Sequence, residues 1–124
     1  MKSLTHLTVG VLLATLVLVV AAKTVKAQDL MKVAPNTTKV LLENDRVRVL
    51  DFQAKPGEKA AMHSHPDGFV YPLSTSKTKF TAPDGKTTEA ELKAGGATWT
   101  EAQTHASENV GTTDAHVLII ELKK

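Results

Sequence analysis

Beyond residue 30 the chain shows short β-like runs separated by turn residues, and no stretch has the spacing of an amphipathic helix. Residues 46–50 alternate charged and apolar side chains, as a half-buried strand does. Residues 117–120 are apolar on both faces, which is typical of a central strand. Pro83-Asp84-Gly85 lies between two such runs and predicts a hairpin turn. The sequence therefore predicts an all-β fold, a single antiparallel β-barrel or jelly roll.

Eight or nine strands are expected in this domain, separated mainly by glycine and proline. Pro72 removes a backbone donor from one of them and predicts that this strand lies at a sheet edge or contains a bulge. The expected strands cover residues 39–42, 46–50, 60–65, 69–73, 77–81, 87–92, 97–100, 105–110 and 115–122.

The first 27 residues have the composition of a secretory signal peptide. An uncharged apolar stretch runs from Leu7 to Ala22, preceded by Lys2 and followed by small residues. Cleavage is expected after Ala27 or, alternatively, after Ala22; an uncleaved membrane anchor is the other interpretation, although the stretch is shorter than the roughly 20 residues that span a bilayer. We expect a signal peptide at 1–27, a flexible lead at 28–37 and a barrel domain at 38–124. The mature protein is then periplasmic or secreted, with no membrane attachment.

Charge and cysteine content exclude several classes of function. The chain contains no cysteine, which excludes a disulfide scaffold, a cysteine-ligated zinc site and a thiol nucleophile. Removal of residues 1–27 takes away three lysines and no acid, so the net charge falls from +2 to −1. A nucleic-acid partner is not expected, because such proteins carry a strong basic excess.

The histidines are the strongest chemical signal. His63 and His65 are two residues apart on an expected strand, so both side chains project from the same face. His105 lies on a later expected strand, where a third ring nitrogen could converge with them. Imidazole binds zinc, copper, iron and nickel. Two surface histidines on an edge strand are the alternative explanation of this spacing.

The spacing around these histidines resembles that of the cupins. Their first motif, G-x5-H-x-H-x3,4-E-x6-G, is matched in its first half by Gly57, His63 and His65. Their second motif ends in H-x3-N, and here His105 is followed at that spacing by Asn109. The resemblance covers residues 40–122. It implies a small single-domain cupin barrel in which His63, His65 and His105 bind a divalent ion (Fe, Zn, Mn, Ni or Cu).

The chain departs from the cupin pattern at the fourth ligand. The glutamate of the first motif falls at position 69 or 70, where this chain has Phe69 and Val70. The proline and glycine that precede the second-motif histidine are replaced by Thr100 and Ala102. Three neutral histidines would bind an ion less tightly than a set with a carboxylate but would leave more open positions. A barrel that has lost metal binding and keeps an apolar pocket is the alternative.

Several other residues are candidates for contact with a bound molecule or an ion. Phe80 and Trp99 are expected to line the barrel, and Tyr71 is expected to donate a hydrogen bond to a bound molecule or to cap the barrel mouth. All three are assigned to substrate binding. Glu101 and His116 are alternative sources of a fourth ligand, although a surface position explains both. Asn109 is expected to fix a turn or strand end.

The function expected from these residues is that of an exported small cupin. A three-histidine divalent-metal site would bind or act on a small polar molecule in the barrel, the ion serving as a Lewis acid or an oxygen-binding centre. The alternative is a non-catalytic ligand-binding or structural barrel without metal. The resemblance also implies a homodimer.

Overall fold

The computed structural model describes residues 28–124, so the signal peptide expected at 1–27 lies outside the described residues. Nearly all of the regular structure is strand. The elements are β1 (Gln28–Asp29), α1 (Leu30–Val33), β2 (Thr38–Glu43), β3 (Val47–Ala54), β4 (Lys59–His65), β5 (Gly68–Pro72), β6 (Ser76–Thr81), β7 (Thr87–Leu92), β8 (Thr98–Thr100), β9 (Gln103–Asn109) and β10 (Ala115–Leu122).

The strands form two five-stranded sheets. The first has the order β1-β4-β9-β6-β7 and the second the order β2-β3-β10-β5-β8. Every pair is antiparallel except the short parallel pair of β1 with β4. The expected all-β antiparallel fold is confirmed. Between residues 28 and 124, no helix is long and apolar enough to cross a membrane.

The strand pattern locates most elements correctly. Strands β7 and β10 have the expected bounds, and the turn at Pro83-Asp84-Gly85 joins β6 to β7, with Gly85 at a φ of 88°. Strand β5 is not an edge strand, as Pro72 led us to expect, because it lies between β10 and β8. Pro72 is tolerated there because β8 pairs only with Gly68 to Val70, so the proline removes no hydrogen bond from that ladder.

The segment at 28–37 differs from the flexible lead that we expected. Gln28 and Asp29 pair with β4, and the Asp29 side chain caps the short helix α1 by accepting a hydrogen bond from the backbone of Met31 at 2.8 Å. Leu30 is 1% exposed and packs in the hydrophobic core beside Leu50 and Ala60. Burying one such leucine contributes about 2 kcal/mol. Ala34 in the same core and the ion pair of Asp29 with Arg48 also attach this segment to the domain.

The outward face of the second sheet carries a continuous apolar row. Leu42, Val49, Ile120, Phe69 and Trp99 lie opposite one another on β2, β3, β10, β5 and β8. The side chains at the two ends, Leu42 and Trp99, are 51% and 53% exposed, and Phe69 is 37% exposed. We call these five residues the apolar row. An apolar surface that crosses a whole sheet is typical of an interaction site.

Candidate metal centre

Two adjacent strands bring three histidines together inside the barrel. His63 and His65 project from β4, and His105 lies directly opposite His63 on β9. One ring nitrogen from each lies within 4.8 Å of the other two, and the cluster is mostly buried. This is the convergence that the His-x-His spacing predicted.

A β-bulge in β4 fixes the orientation of His63. The pairing register with β9 shifts between Ala60 and His63, and the carbonyl of Ala61, within the bulge, lies 2.6 Å from His63 Nδ1. A carbonyl oxygen only accepts, so Nδ1 carries the proton and donates. The lone pair of His63 is therefore on Nε2, which is free to bind a metal ion.

A buried carboxylate fixes His65 in the same way. His65 Nδ1 lies 2.7 Å from Glu121 Oε2, and Glu121 Oε1 accepts a hydrogen bond from Arg48 Nε at 2.7 Å. The Arg48 guanidinium also reaches Asp29 Oδ2 at 2.7 Å. The two carboxylates and one guanidinium together carry a net charge of −1 behind His65. This arrangement supplies part of the negative charge that the absent fourth ligand would have provided.

The ionisation of the site suits a cation. Burial, together with the nearby rings of His63 and His65, lowers the pKa of His105 to about 3. Burial also lowers the pKa of His63 below its ordinary value. Burial alone would raise the pKa of Glu121, but the hydrogen bonds from His65 and Arg48 outweigh it and hold that pKa below its usual range. At neutral pH, His63 and His105 are therefore unprotonated and Glu121 is charged, as metal binding requires.

The donor set fits a divalent metal ion. His63 and His65 each direct Nδ1–H to an oxygen acceptor, and this leaves Nε2 as the ligand atom, the usual state of metal-bound imidazole. Val70 lines the same cavity, whereas Phe69 lies on the outward face. The glutamate of the first cupin motif falls at position 69 or 70, and only position 70 lines the cavity. In this chain that position is occupied by an apolar valine.

The histidines lie in the wall of a cavity of about 740 Å³ between the two sheets. Phe80 lines this cavity, and its ring stacks on His105 with centroids 4.9 Å apart and planes at 29°. Tyr71 and Trp99 are not among the lining residues. They lie on the opposite face of their strands, 38% and 53% exposed, so the structure does not support their assignment to substrate binding.

Both alternative sources of a fourth ligand, Glu101 and His116, lie away from the histidine cluster. Glu101 is exposed and accepts a hydrogen bond from Trp99 Nε1 at 3.0 Å. His116 hydrogen-bonds with Asp51, with its Nε2 3.0 Å from both carboxylate oxygens. Asn109 has the structural role expected of it, because its side chain binds the backbone of Ala54, Gly111 and Thr113.

Glu121 and Arg48 were not among the site residues predicted from the sequence. Glu121 has the same parity along β10 as the inward residues Val117 and Ile119, so a charged side chain at an inward position was the available signal. Arg48 belongs to a strand whose alternation was recognised, but the charged side chain faces inward with Leu50, and Val49 faces outward. Alternation alone does not say which face is buried.

The fold and the histidine cluster define a class, a double-stranded β-helix barrel with a candidate metal centre between its sheets. A cupin domain from Bordetella pertussis Tohama I has 25% sequence identity and a TM-score of 0.66, and the match covers 80% of this chain and 98% of that chain. A protein from Klebsiella pneumoniae with a double-stranded β-helix domain has 25% identity and a TM-score of 0.53, with 69% and 82% covered. The chain is a small single-domain protein of the cupin superfamily.

A predicted oxalate decarboxylase from Thermotoga maritima is also similar. It has 26% identity and a TM-score of 0.50, and the match covers 68% of this chain and 78% of that chain. No protein-family model matches the sequence, and no curated protein matches it.

Proposed function

We propose that this protein binds one divalent metal ion (Fe, Zn, Mn, Ni or Cu) at His63, His65 and His105, and binds or transforms a small molecule in the adjoining cavity. The convergence of three ring nitrogens within 4.8 Å carries this proposal. The hydrogen bonds on the Nδ1 atoms of His63 and His65 support it, because they hold the ligand atoms in place before an ion arrives.

The protein's own residues set the conditions for chemistry at this site. A bound divalent ion would supply Lewis-acid polarisation of an oxygen atom on the small molecule. Apolar side chains such as Val70 and Ile119 line the cavity that would hold this molecule, and Glu121 holds His65 in one orientation. Gln103, which lies opposite His65 on β9 and lines the cavity, offers an amide to hydrogen-bond the molecule.

Metal titration of the metal-free protein tests the proposal. We expect about one equivalent of Zn²⁺ or Fe²⁺ per chain, and at an ion concentration of 100 times Kd a gain in stability of about 2.7 kcal/mol. The His63→Ala, His65→Ala double variant should lose both effects. His116→Ala is the matched control and should keep them, since His116 pairs with Asp51 outside the cluster.

A second variant tests the geometry of the fourth position. Val70→Glu places a carboxylate where the cavity wall faces the cluster, so affinity for the ion should rise by about tenfold or more, while the metal-free variant should be less stable than wild type. If neither titration shows uptake, the metal proposal fails and a ligand-binding barrel without metal remains. Uptake without turnover of any molecule would identify a binding protein.

We further propose that the protein is a homodimer whose interface is centred on the apolar row. An interface of ordinary size buries about 800 Å² from each partner, and large aromatic side chains such as Phe69 and Trp99 contribute heavily to such surfaces. Trp99→Lys is expected to convert the dimer to a monomer in sedimentation velocity. Leu73→Lys should leave the dimer intact, because Leu73 is 45% exposed but lies outside the row. A wild-type monomer at about 100 μM would contradict the proposal.

We propose, finally, that the protein is exported to the periplasm or secreted. The charged start and the apolar stretch between Leu7 and Ala22 support this location.

A further inference from the structure

Both sheets contribute apolar side chains to the wall of the cavity. The first sheet provides Phe80 and Leu92, and the second provides Phe52, Val70, Val117 and Ile119. These residues come from β3, β5, β6, β7 and β10, so the apolar surface surrounds the space in front of the histidines. A molecule that fills this space exchanges its hydration water for contact with apolar side chains over most of its surface.

The polar groups of the wall are almost all uncharged. They are the three histidines, the amide of Gln103 and hydroxyls that include Thr78 and Thr104. Among the described lining residues, the charged ones are Asp84 and Lys86 at the tip of the β6–β7 hairpin. Their side chains are 59% and 88% exposed and lie 3.9 Å apart, so they face solvent and each other. Apart from Lys86 at this solvent-facing tip, no lysine or arginine among the described residues lines the cavity to pair with an anionic ligand.

An aromatic side chain lines the cavity beside the histidine cluster. The Phe80 ring stacks on His105 with an angle of 29° between the planes, so one face of the ring packs against a candidate ligand while the side chain also contributes to the cavity wall. Planar rings pack well against an aromatic side chain, and aromatic contacts contribute about 0.5–1.5 kcal/mol beyond the area they bury. The size of the cavity, about 740 Å³, suits a molecule of ten to twenty heavy atoms rather than a two-carbon acid.

We propose that the ligand of this cavity is an uncharged aromatic molecule with an oxygen substituent, such as a phenol or an aryl ketone. Its ring packs on Phe80 and its oxygen points to the histidine cluster. The biological meaning of this inference rests on the proposed function. It also replaces the small polar molecule expected from the sequence with an aromatic one. In the metal-free protein, a charged ligand would lose its hydration without gaining an oppositely charged partner inside the cavity, at a cost that the apolar contacts do not offset.

Binding to metal-free protein separates this inference from the metal proposal. In isothermal titration with the chelator-treated protein at pH 7, we expect 2-naphthol to bind and 2-naphthoate, with the same rings but a negative charge, to bind at least about tenfold more weakly. Oxalate, as a small dianion, should not bind. This comparison uses metal-free protein and does not depend on metal uptake. The aromatic-ligand proposal and the metal proposal can therefore fail independently of each other.

Variants locate the bound ring. Phe80→Ala and Phe80→Leu should each weaken 2-naphthol binding by about tenfold or more, because only the aromatic side chain offers a flat face. Leu73→Ala is the control and should leave it unchanged, since Leu73 lies outside both the cavity and the apolar row. Circular dichroism checks that each variant is folded, and Phe80→Leu keeps most of the apolar volume if Phe80→Ala does not fold. The inference is overturned if 2-naphthol does not bind, if 2-naphthoate or oxalate binds as tightly, or if Phe80→Leu has no effect.

Discussion

Replacing Glu121 with alanine is expected to lower the free energy of unfolding by about 3–5 kcal/mol, the loss usual when one partner of a buried ion pair is removed. The Glu121 side chain is 4% exposed and Arg48 is 16% exposed, so the guanidinium loses one of its two carboxylate partners in a place that water hardly reaches. His65 loses its acceptor as well. Urea unfolding followed by circular dichroism measures the change.

The matched control for Glu121→Ala is Glu43→Ala. Glu43 also forms an ion pair, with Lys123 Nζ at 2.7 Å, but its side chain is 45% exposed. Water screens that pair, so its loss should cost at most about 1 kcal/mol. Equal losses for the two variants would contradict the importance that we assign to the buried carboxylate.

Glu121→Gln keeps the shape of the side chain and separates charge from packing. The amide oxygen can still accept from His65, but the negative charge behind the ring is gone. Affinity for a metal ion should therefore fall by about 10–100-fold, as is common when a partner of a ligating histidine is changed. This readout distinguishes a role in positioning the ligand from a role in stability alone.

Gly68→Ala is expected to cost about 3 kcal/mol or more, at or above the upper end of the range for overpacking. Gly68 lies opposite Glu121 where β5 meets β10, and a Cβ atom there would overlap the carbonyl oxygen of Ile120. That obstacle is backbone in a central strand and cannot rotate away. The strand would have to separate from β10, taking Val70 and the paired strand β8 with it.

Gly96→Ala serves as the control for Gly68→Ala. Its nearest contact would be the carbonyl oxygen of Lys93 at 3.1 Å, in a loop that can adjust by a few tenths of an ångström. We expect a change within about 1 kcal/mol. If Gly68→Ala unfolds at the same urea concentration as this control, the close approach of β5 to β10 is not as tight as the structure indicates.

The strands could be predicted from sequence because each face of an antiparallel sheet repeats every second residue. The assignment of faces was less successful. Trp99 was expected to line the barrel and Tyr71 to contact a bound molecule or cap the barrel mouth. Val70 is the residue of β5 that lines the cavity, and Tyr71 therefore lies on the outer face, as Trp99 does on β8. Because the outer face of this sheet is also apolar, the alternation along β5 and β8 fits either face being turned toward the cavity.

The sequence motif predicted the three histidines of the candidate site but not the charged residues behind them. His63, His65 and His105 were found because two ligands lie on one strand at a spacing that places them on the same side. Glu121, Arg48 and Asp29 were missed because their association depends on which strands become neighbours. That information is distributed over the whole chain, and the spacing between any two of these residues does not contain it.

The ion pairs that link the first and last strands of the described chain have a consequence for the order of folding. Asp29 on β1 and Glu121 on β10 are joined through Arg48, and the histidines between them come from strands about 40 residues apart. Contacts between distant parts of a chain form slowly, because a long loop must close before they offer any gain. The histidine cluster is therefore expected to assemble late, after β4, β9 and β10 have all been brought together. Under the proposed function, the ion would be captured only after that step.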